Sequence, residues 1–268
     1  IGANEMRKAR RVFRHGLISA LLISLLIVAV GCMCADGLPM WLGGTEEIHH
    51  DASMYFLVWV LCMPAFQLAN LCGAMLKSSG DMRTQSIGSV MVCFLDVIFN
   101  YIFIFQFHLG VMGAAIGSAC AIFINMLYQG YFALFRNEIL SLRLDNERFV
   151  WNWQYIRNAA KIATPMAFQS FLMSGAQIVS TMIVAPLGVI AIATNTFAIT
   201  AESLCYMPGY GIGDAATTLI GQSMGAKRRE LCWSFAKMTV AAGMMVMAFM
   251  GVVMYIFAPE MMALLSPV

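Results

Sequence analysis

Apolar residues run along this chain in long stretches separated by short polar segments. Seven stretches, roughly 15–35, 52–76, 84–106, 110–135, 162–186, 188–220 and 232–257, meet the ~20 residues that an α-helix needs to cross bilayer hydrocarbon. The alternation of a barrel strand is absent, and backbone polar groups in lipid must bond within their own segment. The pattern predicts an all-α polytopic membrane protein with seven transmembrane helices.

Composition agrees. Of 268 residues, 60% are hydrophobic and only 11% charged, whereas a soluble domain carries about 25% charge. The position of the charges says more than their number. All sixteen Lys and Arg residues lie in alternate loops or just inside a span. They are Arg7, Lys8, Arg10, Arg11 and Arg14, then Lys77 and Arg83, then Arg136, Arg143, Arg148, Arg157 and Lys161, then Lys227, Arg228, Arg229 and Lys237. The intervening segments 36–51, 107–109, 186–188 and 258–268 hold none, although they contain Asp36, Glu46, Glu47, Asp51 and Glu260. By the positive-inside rule the amino end is cytoplasmic and the carboxyl end external. The basic clusters are topology determinants beside anionic lipid rather than a nucleic-acid surface. The eight cysteines fit no metal-ligand spacing, Cys32 and Cys34 included, and read as small buried apolar residues. His49 and His50 read as a solvated face.

A weak internal repeat divides the chain. Ile1-Gly2 precedes Lys8 and Arg10 as Ile220-Gly221 precedes Lys227 and Arg229, and a long apolar segment follows each. After it, Ala35-Asp36-Gly37-Leu38 aligns with Ala258-Pro259-Glu260-Met261 at an offset of 223. Six spans separate the two starts, so the copies run in the same direction, the parallel repeat of many transporters. The expected organisation is 1–136 as the last four helices of a first lobe, 137–161 as a cytoplasmic linker, and 162–268 as the first three helices of a second lobe. The chain reads as part of a larger transporter. Trp151 and Trp153 mark the interface at the linker's end.

A carboxylate within a span is costly and usually faces a bundle interior or a wet cavity. Asp96 is deep in its span, and Asn100 is one turn further along the same face. Together they offer oxygen ligands to a cation, or a protonatable acid with an amide partner; the alternative is a hydrogen bond that joins two helices. Glu202 lies mid-span ahead of Pro208 and Gly209, where a missing backbone bond predicts a hinge. Its alternative is a protonated acid bonded to a neighbouring helix. Asp214, Gln169, Gln177, Asn195 and Tyr206 are candidate cavity groups. Asp81, after Gly80, caps the next helix. Nothing resembles a catalytic triad, a phosphate-cradling loop or a paired-cysteine metal site, so no enzyme activity and no resident cofactor are expected.

These motifs, taken in order, resemble the multidrug and toxic compound extrusion (MATE) family. Leu76-Lys77-Ser78-Ser79-Gly80-Asp81-Met82-Arg83-Thr84 is similar to that family's loop before its fifth helix. Asp96-Val97-Ile98-Phe99-Asn100-Tyr101 and Leu109-Gly110-Val111-Met112-Gly113-Ala114-Ala115-Ile116 resemble its fifth helix and the start of its sixth. Ala185-Pro186-Leu187-Gly188 and the stretch from Glu202 to Gly225 resemble a bacterial branch. The resemblance implies two six-helix lobes, of which this chain would hold the third to ninth helices. It also implies export of cationic or amphipathic small molecules across the bacterial inner membrane, with Na⁺ or H⁺ as coupling ion. Two departures stand out. The family's fifth helix often carries Asn and then Asp, here reversed as Asp96 and Asn100. Some branches carry a Glu eight residues after the seventh-helix proline, where this chain has Met173 after Pro165, which leaves Glu202 as the substitute. Rival readings are a lipid-linked sugar flippase of the same superfamily and a seven-helix receptor. The basic residues at span ends count against the first. The cytoplasmic amino end and the absence of an intramembrane Lys count against the second.

Overall fold

The computed structural model describes residues 1–35, 37, 46–141, 151–184, 186 and 188–265. Seven α-helices carry the chain: α1 Met6–Cys34, α2 Glu46–Ser79, α3 Met82–Tyr101, α4 Gly110–Tyr131, α5 Trp153–Val184, α6 Val189–Gly225 and α7 Arg229–Leu265. Five-residue π turns, Ile102–Gln106 and Phe132–Arg136, continue α3 and α4. Among the described residues, six helices are long and apolar enough to cross a bilayer. The 37-residue α6 carries Asn195, Glu202, Asp214 and five threonines along its length. All seven helices expected from the apolar pattern are present. The fold is that of an all-α polytopic membrane protein.

The chain divides into two compact units, Ala3–Trp151 and Asn152–Val268. In the first, α4 packs against both α2 and α3, and α1 packs on α2. The α2–α3 connection shows how the sequence writes a tight turn. Gly80 takes a left-handed φ of 91°. Its N–H donates to Lys77 O at 3.0 Å and the Asp81 N–H to Leu76 O at 3.0 Å, the paired bonds of a Schellman end. Asp81 Oδ1 then accepts the Thr84 N–H at 3.1 Å and opens α3, as a helix cap does. One helix thus ends and another begins within two residues.

At the basic end of this unit the chain folds back under its own helices. Asn137 Oδ1 accepts the N–H groups of Ile139 and Leu140 at 3.0 and 3.1 Å, while its Nδ2 donates to Ser79 Oγ at 2.9 Å. Arg10 donates through Nε to Ile139 O and through a terminal nitrogen to Glu138 O, both at 2.9 Å. These bonds hold Leu140 in a core with Phe13, Cys72, Leu76 and Ala133. His15 is also buried, and its ring centroid lies 5.6 Å from that of Trp151. The residues Arg143, Asp145, Asn146, Glu147 and Arg148 of the expected linker lie outside the described residues, as do Asp36 and the last three residues of the chain. Helix α5 begins at Trp153, inside the stretch read as linker, where Asn152 Oδ1 accepts the Gln154 N–H at 3.0 Å.

In the second unit α6 and α7 pack along one another, and α5 touches α6 only lightly. Helix α6 runs unbroken through Pro208. At Gly209 the missing side chain makes room for Met247 of α7, whose Sδ would lie 2.9 Å from an added methyl group. Asn4 (φ 58°) precedes the start of α1 at Met6, and Lys227 (φ 57°) precedes the start of α7 at Arg229. Left-handed φ is uncommon for residues other than Gly; it recurs two residues before α1, α4 and α7, at Asn4, His108 and Lys227. The cysteines do not all conform to expectation: Cys62 and Cys72 are buried, but Cys32 and Cys93 are exposed on outward helix faces.

Candidate functional site

The candidate site in the first unit is built at the α3–α4 interface. Asp96 and Asn100 are one turn apart on α3. Opposite them α4 supplies Gly117 and Ser118, from a segment of small residues that lets the two helices approach closely. Ser118 Oγ–H donates to Asp96 Oδ1 at 2.6 Å, the short length of a hydroxyl-to-carboxylate bond. Among the described residues no basic side chain lies within ion-pair distance of Asp96. The acid is therefore met by a neutral hydroxyl, not neutralised by a cation of the protein.

Asn100 is held in the notch at Gly117. A methyl group there would collide with Asn100 Oδ1 and stand 2.9 Å from the Asn100 backbone nitrogen. Asn100 Oδ1 is buried and has no hydrogen-bond donor among the described residues. A buried unsatisfied carbonyl costs about 1–3 kcal/mol, which a cation or a donor near it would recover. Sequence reasoning named Asp96 and Asn100 and missed Ser118 and Gly117. The available signal was helical register: Ser118 and Gly117 fall in the only run of α4 dense enough in small residues to face another helix closely.

The second-unit candidates are placed differently. Gln169, Gln177, Glu202 and Asp214 are all exposed on their unit. Asn195 and Tyr206 are half-buried, and the Tyr206 ring meets Tyr210 edge to face with centroids 5.6 Å apart. Glu202 and Tyr206 lie one turn apart on α6, two residues ahead of the Pro208-Gly209 pair. The structure brings Asp96, Asn100 and Ser118 together; it does not gather the α5 and α6 residues into one cluster.

The pattern of the MatE family matches residues 1–102 and 165–267, which is most of the chain. The chain belongs to the MatE family. A probable multidrug resistance protein NorM of Thermotoga maritima is 25% identical to this MatE chain over 264 residues, covering 97% of the chain and 56% of that relative. A multidrug resistance protein MdtK of Yersinia enterocolitica is 23% identical over 265 residues, covering 96% and 57%. Among solved structures, the outward-facing conformation of a multidrug resistance MATE family transporter of the MOP superfamily superposes with a TM-score of 0.89 at 21% identity, over 97% of this chain and 58% of that one. A MOP superfamily transporter from Pyrococcus furiosus, described as having a binding pocket of reverse polarity, gives a TM-score of 0.88 at 22% identity, over 97% and 57%. The chain thus spans little more than half the length of the relatives it matches.

Proposed function

We propose that this MatE chain is part of a cation-coupled antiporter that exports cationic or amphipathic small molecules. Its relatives are named as multidrug resistance proteins. The observation that carries the coupling is the α3–α4 site: an acid without a basic partner among the described residues, bonded to the Ser118 hydroxyl, one turn from an orphaned amide oxygen. An ion pair would hold Asp96 charged and satisfied. A hydroxyl leaves its remaining lone pairs available to Na⁺ or H⁺, and Asn100 Oδ1 can add a neutral ligand to Na⁺, which takes oxygen donors.

In this reading the cation loads at Asp96 and Asn100 from the outer side and lowers affinity for the exported compound. Its release inward restores that affinity. Alternating access follows from rearrangement of the two lobes, with α6 bending at Pro208 and Gly209. Glu202 is a second coupling acid, and Gln169, Gln177, Asn195, Tyr206 and Asp214 contribute to the path of the substrate. The protein sits in the inner membrane with the amino end of this segment cytoplasmic, as the loop charges require. A lipid-linked sugar flippase would need basic side chains along a cavity, and the Lys and Arg residues stand at helix ends and in loops. The test is drug resistance conferred by the full-length transporter in a susceptible host. Asp96→Asn and Glu202→Gln are expected to lower it at undiminished expression; full resistance in both variants removes the coupling scheme.

A further inference from the structure

The α3–α4 interface holds a second polar cluster, nearer the basic end of the unit than Asp96. Helix α4 repeats its polar face: Ser118, Asn125 and Gln129 stand at i, i+7 and i+11, one stripe of a 3.6-residue helix. On α3 the same face carries Gly88, eight residues or ~12 Å before Asp96 at 1.5 Å per residue. A methyl group at Gly88 would come within 2.9 Å of Asn125 Oδ1 and 3.0 Å of Gln129 Nε2. A methyl group at Gly73 on α2 would come within 2.6 Å of Gln129 Oε1. Gln129 is 3% exposed. Its amide is therefore wedged between two glycine notches where three helices meet. Asn125 Oδ1, beside it, is buried with no hydrogen-bond donor among the described residues. Between this cluster and the Asp96–Ser118 bond the stripe holds only small or apolar side chains, the fully buried Ala121 on α4 and Val92 on α3.

We propose that Asn125 and Gln129 form a relay station for a monovalent metal cation moving between Asp96 and the basic end of the unit. The inference rests on the cation-coupled reading above and deepens it. Two physical points favour a metal cation over a proton. The station offers the orphaned oxygen of Asn125, a good neutral ligand for a hard cation, with Gln129 Oε1 on the Gly73 side, and no group that titrates. An orphaned carbonyl in a dry interface gains most from a positive charge, because its burial cost is already incurred in the fold. A neutral station also holds the ion weakly, so it can leave again, as conduction through successive sites requires. The glycines then have a reason: any side chain at position 73 or 88 would collide with the amides and displace them.

The test uses the full-length transporter reconstituted in proteoliposomes, with ²²Na⁺ flux and drug exchange as readouts. Asn125→Leu with Gln129→Leu is expected to slow Na⁺-driven exchange about tenfold or more while equilibrium Na⁺ binding at Asp96 changes less than about threefold. Asn125→Ser keeps a neutral oxygen ligand and is expected to exchange at close to the unmodified rate in Na⁺. An unchanged rate in the double leucine variant overturns the proposal. So does an Asn125→Ser variant as slow as Asn125→Leu, since that pattern belongs to a packing role. Asp96→Asn run alongside separates the two readings. If it is inactive while the leucine variant is not, only the relay fails; if it exchanges normally, the coupling scheme fails first.

Discussion

The two units put similar polar residues to different use. In Ala3–Trp151 three polar side chains inside the spans point at other helices: Asp96 at Ser118, Asn100 at Gly117, Gln129 at Gly73 and Gly88. In Asn152–Val268 the corresponding residues Gln169, Gln177, Glu202 and Asp214 are exposed, and α5 has no buried residue at all. The glycines repeat the contrast. Gly73, Gly88, Gly113 and Gly117 are each pressed against a neighbour, whereas Gly175, Gly211, Gly213 and Gly251 have nothing within 4 Å of an added methyl group; Gly209 against Met247 and the open Gly130 are exceptions on each side. An acid in a span is thus not yet a site. It becomes one when a facing helix supplies a donor and excludes the alternatives, as α4 does for Asp96. Glu202 has the right chemistry and depth but meets no such helix face within its own unit.

Substitutions can break this contrast, and the largest effect is expected at Asp96. Asp96→Asn should reduce efflux by about tenfold or more, because a permanently neutral group can neither load a cation nor exchange a proton. Glu202→Gln should reduce it less, and an equal loss in resistance assays would erase the distinction between the units. Next comes Leu140→Ala, at the fully buried base of the first unit. It should destabilise by about 2–5 kcal/mol, seen as a lower melting temperature in detergent. Tyr255→Ala, at an 87% exposed position of α7, should leave the melting temperature nearly unchanged.

The glycines give a finer comparison. Gly117→Ala drives a methyl group into Asn100 and its backbone and should cost about 1–3 kcal/mol. Gly213→Ala adds the same atoms to open space in α6 and should be neutral or stabilising by up to about 1 kcal/mol, the helix-propensity difference. Thermal unfolding of the two variants side by side checks the sign as well as the size. Asp81→Ala removes one cap and should cost about 0.5–2 kcal/mol. That loss should be relieved by Asp81→Asn or Asp81→Ser and not by Asp81→Leu.

Much of the architecture was legible from residues alone because its causes are local. Run length set the helices, and Gly80-Asp81 announced a stop and a start by backbone conformation and capping chemistry. The repeat was legible only faintly in letters. Spans chosen by hydropathy stop where polarity begins, so they missed the extra turns of α5, which starts at Trp153. The helical hydrogen-bond ladder has no reason to end where lipid does.

What the sequence determined by itself is the number of helices, their apolar character, the turns between α2 and α3, and the rarity of charge within spans. Each follows from bilayer thickness or from a single residue's conformational preference. Which charge has a partner was decided only in three dimensions. Asp96 and Ser118 are 22 positions apart, and Gln129 reaches glycines on two other helices. Such pairings depend on how helices rotate and approach when small residues are matched across an interface, and no one-dimensional period records that rotation. The same physics separates Asp96, enclosed by a facing helix, from Glu202, which the letters alone rank as its equal.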